Sequence, residues 1–348
     1  MPVQKLYAGA KLRELRQRLG LTQKTFADRL GVSLPYLNQM ENNHRPLSAA
    51  VVLALATDFG MDVSELATGD AERIVADMRE ALADDKTVMI SPLIRNYNFD
   101  KQIAKWSLFS PSAQKRMVEG TLKLLESEPR YKGVVIDIEN TSPGDRNHFS
   151  AFIRRMYEAL HPKGYKVFTV VGPKEQDIPK AMWTRAFDYK EIGKYSDFVI
   201  LMTYNQHWKG GPPGPCAGID WFEACVKYAC ECMPAEKVIA GIPFYGYDWP
   251  SKPPATSLTH KKASALIDRI KPKKIEWSEE YATPWFTYVE NGDRHEVWFE
   301  DVRSVAAKLE VCRKLGVGGV AAWRLGDEDP RFWEIIGRYS RGESIDVE

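Results

Sequence analysis

The N-terminal part of the chain carries hydrophobic residues at helical spacing. Leu12, Leu15 and Leu19 fall on one helix face, and Gly20 follows as a helix stop. The pattern predicts five helices: one over these leucines, then Gln23–Leu30, Leu34–Asn42, Ser48–Phe59 and Val63–Leu66. This part therefore favours a small all-α bundle over residues 1–70, followed by a linker over residues 71–86.

Polar residues precede the second and third predicted helices, at the positions where N-caps are expected. Thr22 and Ser33 precede the second and third helices and are N-cap candidates, while Gly31 lies in the turn between them. Two helices joined by a tight turn with glycine are typical of a helix-turn-helix. The alternative is a plain helical bundle with a solvated polar face.

From residue 87 onward the hydrophobic pattern changes to short apolar runs that alternate with amphipathic stretches. Six runs read as buried strands: Thr87–Leu93, Gly133–Ile138, Lys166–Val171, Phe198–Thr203, Lys237–Ile242 and Gly318–Trp323. Helices are predicted between them at Ser112–Glu126, Asn147–His161, Ala186–Tyr195, Trp221–Met233 and Val302–Leu315. This alternation predicts an α/β domain over residues 87–340, with a parallel sheet closed toward a TIM-type β/α barrel.

A longer stretch interrupts the alternation before the last strand. Between about residues 250 and 301 the sequence contains the strand-like runs Ile275–Trp277, Trp285–Val289 and Glu296–Phe299. Asn291-Gly292 separates the last two runs and is a hairpin signal. We expect a small α+β insertion that contains an antiparallel sheet.

Composition and charge narrow the class of protein. The 348 residues are 44% hydrophobic and carry 48 Lys+Arg against 47 Asp+Glu, which excludes a disordered chain or a collagen-like repeat and fits two domains. The longest apolar runs are too short to span a bilayer, and no secretory signal is visible. Five cysteines in such a chain predict reduced thiols and a cytoplasmic location. Cys230 and Cys232 lack a second ligand pair nearby, so neither a metal nor a cofactor is predicted.

The candidate chemistry of the second domain lies at strand ends. Asp137 and Glu139 are two residues apart and would project to the same face at the end of a strand. Two neighbouring carboxylates raise the pKa of one of them and can supply a general acid near neutral pH. Aromatic residues follow the other strands and would line one mouth that suits the apolar faces of a sugar: Tyr204, Tyr245, Tyr247 and Trp323. Ordinary core packing is the alternative for each aromatic residue taken singly.

The N-terminal segment resembles the Cro/repressor, or xenobiotic-response-element, type of DNA-binding domain. The resemblance covers residues 8–68 and rests on LRQRLGLTQ, FADRLGVS, LNQMENN and PLS; LPYLNQMENNHRPLSAAV is similar to regulators of short-chain fatty-acid metabolism. It implies that Gln23 contacts a phosphate and that Ser33, Tyr36, Asn38 and Gln39 face the major groove. Residues 1–60 carry eight Lys and Arg against four Asp and Glu, which agrees with double-stranded DNA as a partner. Domains of this type usually bind as homodimers.

The segment from Val88 to about Gly337 resembles glycoside hydrolase family 18, and most closely its spore-germination, cortex-lytic N-acetylglucosaminidase branch. The motifs that carry the resemblance are SPLIRNYNFD, GVVIDIENTSPGDR, LMTYNQHWKGGPPGP, GIPFYGYDW, HEVWFED and AAWRLG. The fold it implies is a β/α barrel, and the substrate is a glycan that contains N-acetylglucosamine, as in chitin or peptidoglycan cortex.

The resemblance also implies a role for each site residue. Glu139 takes the position of the catalytic acid/base, Asp137 that of the residue which orients the acetamido group, and Tyr204 that of the tyrosine which binds the acetamido carbonyl. Trp323 takes the floor of the −1 subsite. Further substrate contacts are expected from Asn205, Tyr245, Tyr247 and Trp208, with Asn205 standing where many relatives carry Asp. The implied mechanism is retaining and substrate-assisted, without an enzyme nucleophile.

The chain departs from the family by its length before the acidic motif. In the family this motif follows the fourth of eight strands, whereas a single strand, Thr87–Leu93, is predicted before it here. We therefore expect a barrel that lacks its first two β/α units and has open edges at the first and last strands. Three interpretations remain: a glycosidase fused to a DNA-binding domain, a transcriptional regulator whose weak barrel senses a sugar or a partner, and a chimera in which neither role is integrated.

Overall fold

The structure is a computed structural model, and it describes residues 9–42, 45, 47–59, 89–178, 184–252, 254–326, 328–345 and 347. The chain divides into two compact units, Met1–Val88 and Met89–Glu348. Each unit is described by itself below.

The described part of the N-terminal unit is helical. Its helices are α1 (Gly9–Arg18), α2 (Gln23–Arg29), α3 (Leu34–Glu41) and α4 (Ala49–Phe59). Thr22 caps α2 by accepting from the Thr25 amide, Ser33 caps α3 by accepting from the Tyr36 amide, and Gly31 has the positive φ of 66° that the turn between them requires. The second, third and fourth predicted helices are confirmed within one residue at each end. The predicted helix Val63–Leu66 and the linker 71–86 lie outside the described residues.

A buried ion pair fixes α3 against the two preceding helices. The Glu41 carboxylate accepts from Arg16 Nε at 2.7 Å and from Gln23 Nε2 at 2.8 Å. Burial alone would raise the pKa of Glu41, but these hydrogen bonds outweigh burial and hold the pKa below its usual value. Around this pair the core is apolar: Leu12, Phe26, Leu37, Met40 and Leu55 are all buried.

The C-terminal unit is built on a parallel sheet. Among the described residues its strands lie in the order β1 (Leu93–Arg95), β2 (Gly133–Asp137), β3 (Lys166–Val171), β4 (Phe198–Leu201), β5 (Val238–Pro243) and β11 (Gly319–Trp323), and every neighbouring pair is parallel. The helices are α5 (Lys101–Phe109), α6 (Pro111–Glu126), α7 (Arg146–Leu160), α8 (Tyr189–Lys194), α9 (Ile219–Cys232), α11 (Val302–Leu315) and α12 (Arg331–Ser340). The predicted parallel sheet of an α/β domain is thus confirmed.

The core of this unit lies between the sheet and its helices. Strands β2 and β3 contribute Val134, Ile136 and Val167, all fully buried, because strands covered by helices must be apolar. Helix α7 buries one face with Phe149, Phe152, Ile153 and Met156, which recur at helical spacing. This packing fixes β2, and with it the acidic residues that follow the strand.

Two sequence predictions for the C-terminal unit need correction: the bounds of its first strand and the set of its helices. The first strand, predicted at Thr87–Leu93, is Leu93–Arg95, preceded by an isolated bridge between Ile90 and Tyr131. Pro92 has no N–H to donate, so the regular ladder begins after it. Residues 87 and 88 lie outside the described part. Helices α5 and α12 are additional to those predicted.

The insertion is a five-stranded antiparallel sheet that packs on one helix. Its strands lie in the order β7 (Thr256–Thr259), β6 (Tyr245–Pro250), β10 (Asp293–Trp298), β9 (Thr283–Glu290) and β8 (Glu276–Ser278), with α10 (His260–Ile270) between β7 and β8. Leu266 of α10 packs with Phe286 and Tyr288 of the sheet. The boundary predicted near residue 250 is wrong, because the antiparallel sheet already begins at Tyr245.

In the described part of the chain, no helix has both the length and the apolar character needed to cross a membrane.

Candidate active site

Two carboxyl groups lie where β2 ends. Asp137 is the last residue of the strand, and Glu139 follows two positions later. Asp137 is 8% exposed, and its Oδ1 has no hydrogen-bond partner among the described residues. Because the carboxyl ends of parallel strands meet at one edge of a sheet, side chains from the other strand ends surround this pair.

The surroundings of the two carboxyl groups raise both pKa values. Burial raises the pKa of Asp137 to about 6, against the opposing charge of Arg95. Burial and then the negative charge of Asp137 raise the pKa of Glu139 to about 7, again opposed by Arg95. A carboxyl group with a pKa near 7 is partly protonated at neutral pH and can donate a proton to a leaving group.

Asn96 forms hydrogen bonds with the backbone of Glu139. Its Oδ1 accepts from the Glu139 amide at 3.0 Å, and its Nδ2 donates to the Glu139 carbonyl at 3.1 Å and to the Asp100 carbonyl at 2.9 Å. Asn96 is 3% exposed, so these bonds lie away from water. The loop after β1 therefore holds Glu139 at the end of β2.

An aromatic platform lies at the ends of β4 and β11. The rings of Tyr204 and Trp323 are stacked with centroids 6.1 Å apart and planes 15° apart. Gly241 of β5 makes room for this arrangement, since a Cβ there would lie 2.3 Å from the Leu201 carbonyl oxygen and 3.0 Å from the Tyr204 ring. Burial, and then the charges of Asp137 and Glu139, raise the pKa of Tyr204, so its hydroxyl stays a hydrogen-bond donor.

Two further tyrosines use their hydroxyl groups to fix Asn205. Tyr245 and Tyr247 each donate to Asn205 Oδ1 at 2.8 Å. Asn205 itself has a left-handed backbone conformation, with φ of 61°. Burial raises the pKa of Tyr247 to about 12, which keeps its hydroxyl protonated. With Oδ1 occupied in this way, the Asn205 amide nitrogen is the group that can donate to a ligand.

The predicted site residues are brought together with one exception. Asp137, Glu139, Tyr204, Asn205, Tyr245, Tyr247 and Trp323 form the cluster described above. Trp208 is 52% exposed, and its ring lies against Gly210. Among the described residues no ring contact or hydrogen bond joins Trp208 to that cluster.

Sequence reasoning missed two residues of the site, Arg95 and Asn96. Arg95 is register-paired with Asp137, and Asn96 is the next residue. The signal that would have found them is the rule that polar residues at strand ends gather at one edge. The predicted strand ends at Leu93, which puts Arg95 and Asn96 beyond the strand end.

On the N-terminal unit, the residues expected at DNA lie along α2 and α3. Ser33, Asn38 and Gln39 are exposed. Tyr36 is half-buried under the Arg45 guanidinium, which lies 4.5 Å from the ring centroid. The Gln23 amide, expected at a phosphate, donates to Glu41 instead of projecting freely. The unit thus presents a short polar surface on α3.

Two family models match the chain. The model for glycosyl hydrolases family 18 matches residues 42–329. The chain belongs to this family of glycosidases. A helix-turn-helix model matches residues 12–66, which supports the fusion of two units that the sequence predicted. The family 18 match begins before β1 and includes residues 60–88, outside the described part.

Two solved structures are similar to the chain over most of its length. A chitinase from Chromobacterium violaceum is 32% identical, with a TM-score of 0.72 over 78% of this chain and 86% of that chain. The spore cortex-lytic enzyme SleL of Bacillus cereus is 30% identical, with a TM-score of 0.69 over 74% of this chain. The chain spans 61% of that enzyme's length.

A short part of the chain is similar to a regulator. The propionyl-CoA carboxylase regulator of Cereibacter sphaeroides is 80% identical over 81 residues, which are 23% of this chain and 18% of the regulator. This similarity thus covers less than a quarter of the chain.

Proposed function

We propose that the C-terminal unit hydrolyses polymers of β-linked N-acetylglucosamine, of the peptidoglycan-cortex or chitin type, by a retaining, substrate-assisted mechanism. The observation that carries this proposal is the pair Asp137 and Glu139, in which burial and the neighbouring charge bring the pKa of Glu139 to about 7. The stacked rings of Tyr204 and Trp323 beside the pair support a sugar as the ligand.

In the proposed reaction the substrate's own acetamido oxygen attacks the anomeric carbon. The bond to the leaving oxygen breaks as Glu139 transfers its proton to that oxygen, and Asp137 and Tyr204 hold the acetamido group. The ring closed by the acetamido oxygen is then opened by water, whose proton returns to Glu139. Acid catalysis of this kind contributes about 10²–10⁴-fold.

A chromogenic chitobioside tests this proposal with the full chain. We expect the wild type to release the chromophore and Glu139→Gln, which has no acidic proton, to release it at a rate lower by at least about 10²-fold. Equal background rates for both proteins would contradict the proposed hydrolase.

We propose that the N-terminal unit binds double-stranded DNA as a homodimer in the cytoplasm, with Gln23, Ser33, Tyr36, Asn38 and Gln39 at the DNA. The exposure of Ser33, Asn38 and Gln39 on the third helix supports this. Selection of bound duplexes from a random pool tests it: an enriched sequence with salt-sensitive retention is expected. A pool without enrichment would contradict sequence-specific binding.

A second function, a regulator whose barrel only senses a sugar or partner, is favoured by one observation. Within the described residues β1 and β11 each have a single neighbour in the parallel sheet, and Leu93 and Trp323 are 50% and 47% exposed. We infer that the first two β/α units of the barrel are lacking from the part of the chain that the structure describes, which would leave the site open on that side. Under this alternative, N-acetylglucosamine oligomers bind and change DNA affinity without being cleaved. In a non-integrated chimera, sugar binding leaves DNA affinity unchanged.

A further inference from the structure

The outer edge of β9 lacks a partner strand over its second half. Strand β8 pairs with β9 only as far as Trp285, because β8 is three residues long. In the described part of the chain no other strand lies on that side of β9. If the ladder continued in the same register, Pro272 would pair with Val289. Pro272 has no N–H to donate, so the segment before β8 cannot complete this pairing.

The hairpin turn determines which backbone groups of β9 lie on the open edge. Asn291 and Gly292 have φ of 50° and 78°, as in a two-residue type I′ turn, so the residues that flank the turn form a hydrogen-bonded pair. Hydrogen-bonded and non-hydrogen-bonded pairs then alternate along the ladder. The N–H and C=O groups of Thr287 and Val289 therefore face away from β10, toward the side that β8 leaves open.

Four cations surround the open edge. They line a cavity of about 610 Å³ together with Thr287 and Val289. Arg294 is the cross-strand neighbour of Val289 on β10, so it flanks the edge on the face of the sheet that carries the Val289 side chain. The turn after α10 supplies three lysines: Lys271, Lys273 and Lys274. Among the described residues that line the cavity the one acid is Glu276, which accepts from Lys274 Nζ at 2.5 Å.

The excess positive charge of this cavity is accessible to solvent. In the described residues no ion pair engages Lys271, Lys273 or Arg294, and all three residues are exposed. Val289 is 68% exposed although it is apolar. Positive charge beside an edge strand opposes pairing with a second copy of that strand, since both copies carry the same charge. An acidic strand meets the opposite situation, because its carboxylates neutralise the cations while its backbone extends the ladder.

We propose that this edge of β9 binds an extended, acidic segment of another protein by strand addition. The backbone of that segment donates to the C=O groups of Thr287 and Val289 and accepts from their N–H groups. Its acidic side chains face Lys271, Lys273 and Arg294, whose charge selects against neutral and basic segments. The interaction is independent of glycan hydrolysis, because none of these residues belongs to the cluster around the two catalytic carboxyl groups.

Fluorescence anisotropy with the full chain and synthetic peptides tests the proposal. The labelled probe is a peptide of about six residues, the usual length of a strand, in which Glu and Val alternate. A second peptide has the same sequence but a methyl group on every backbone nitrogen, which keeps the charge and removes the N–H donors. A third peptide carries Lys in place of Glu. The variant Lys273→Glu/Arg294→Glu is compared with Lys115→Glu/Lys227→Glu, which changes two exposed lysines on α6 and α9.

We expect the wild type to bind the acidic peptide, to bind its methylated form at least about tenfold more weakly because backbone hydrogen bonds are lost, and not to bind the Lys peptide. Lys273→Glu/Arg294→Glu should weaken binding of the acidic peptide by about tenfold at low salt, and Lys115→Glu/Lys227→Glu should leave it unchanged. Thr287→Pro should also weaken it, because proline removes one donor at an edge position that tolerates proline.

Three results would overturn the proposal. Equal binding of the acidic peptide and its methylated form would mean that charge alone attracts the peptide, without strand addition. Equal losses in the two double variants would place the binding outside this cavity. If the wild type binds no peptide and Lys273→Glu/Arg294→Glu associates with itself in size-exclusion chromatography, the cations only prevent pairing between copies of this chain.

Discussion

The hydrogen bonds between Asn96 and the Glu139 backbone lead to a prediction for kcat, and its magnitude can be worked out from the structure. Asn96→Ala removes two hydrogen bonds to the Glu139 backbone, of 3.0 and 3.1 Å. A net hydrogen bond contributes about 1 kcal/mol, so about 2 kcal/mol of positioning energy is lost. If the acid is held in place for the transition state, kcat falls by about 30-fold, because every 1.4 kcal/mol is a factor of about ten.

The assay is steady-state release of a chromophore from a chitobioside at 25 °C, with kcat and KM measured separately. We expect KM to change by less than about twofold, because Asn96 is buried and acts on the acid through the backbone. Asn147→Ala is the matched control, since Asn147 is exposed and the chemical change is the same. Circular dichroism establishes that both variants are folded at the assay temperature.

A folded Asn96→Ala protein with wild-type kcat would refute the reasoning. It would mean that the strand itself orients Glu139 without the loop. A higher KM with an unchanged kcat would also refute the reasoning, because positioning of the acid affects the chemical step.

Three more predictions test other parts of the molecule. Arg95→Gln removes a charge that favours ionised Glu139, so the pKa of Glu139 rises above about 7 and the alkaline limb of the pH–rate profile moves to higher pH; an unmoved limb would contradict this. A carboxyl whose pKa is raised by folding destabilises the native state once it ionises, so stability declines as pH rises from about 4.5 to about 7. Glu139→Gln should therefore melt a few degrees above the wild type at pH 9 and at the same Tm below pH 4 in calorimetry; a gap that persists in acid would rule out this cause. Gln39→Ala should weaken binding to a selected duplex by about 1–3 kcal/mol in an anisotropy titration. The dependence of the binding constant on salt concentration should stay the same, because no charge is lost; a changed salt dependence would contradict a base contact by Gln39.

Buried strands and capped helices could be predicted from the sequence because their signals are local. Lys166–Val171 is observed with the predicted bounds, since a parallel strand covered by helices is a continuous apolar run. Val302–Leu315 is also observed as predicted: Asp301 forms a capping box with Ser304, and Gly316 ends the helix with φ of 65°.

Elements whose hydrophobic pattern is mixed could not be predicted in the same way. Helix α5 buries Ala104 and Leu108, but also carries the exposed residues Ile103 and Trp106, so its apolar residues do not fall on one face. For α5, packing against other elements of the unit decides the helix, and the spacing of its apolar residues alone does not indicate it. Helix α10 is different: Ala263, Leu266, Ile267 and Ile270 recur at helical spacing and pack on the sheet, so its local signal was present in the sequence.

The error at the first strand also explains why part of the site was missed. The apolar run predicts a strand that ends at Leu93, whereas pairing with β2 continues to Arg95. Because the strand ends two residues later than predicted, Arg95 is its last residue and Asn96 follows directly, so both lie at the site. A parallel sheet gathers its functional residues at strand ends, so an error of two residues in a strand leaves the fold unchanged and alters the chemistry.

The tyrosines after β5 mark a further limit of sequence reasoning. The sequence predicts Tyr245 and Tyr247 as sugar contacts through their aromatic faces, yet both hydroxyls donate to Asn205 Oδ1 at 2.8 Å. Two donors on one oxygen set the orientation of the amide, and its nitrogen is left as a donor. An Asp at this position would offer acceptor oxygens instead, so the exchange of Asp for Asn reverses the polarity that this side chain presents to a ligand. The residue type was visible in the sequence, but the two hydrogen bonds that give the exchange its consequence depend on β6, which lies forty residues further along the chain.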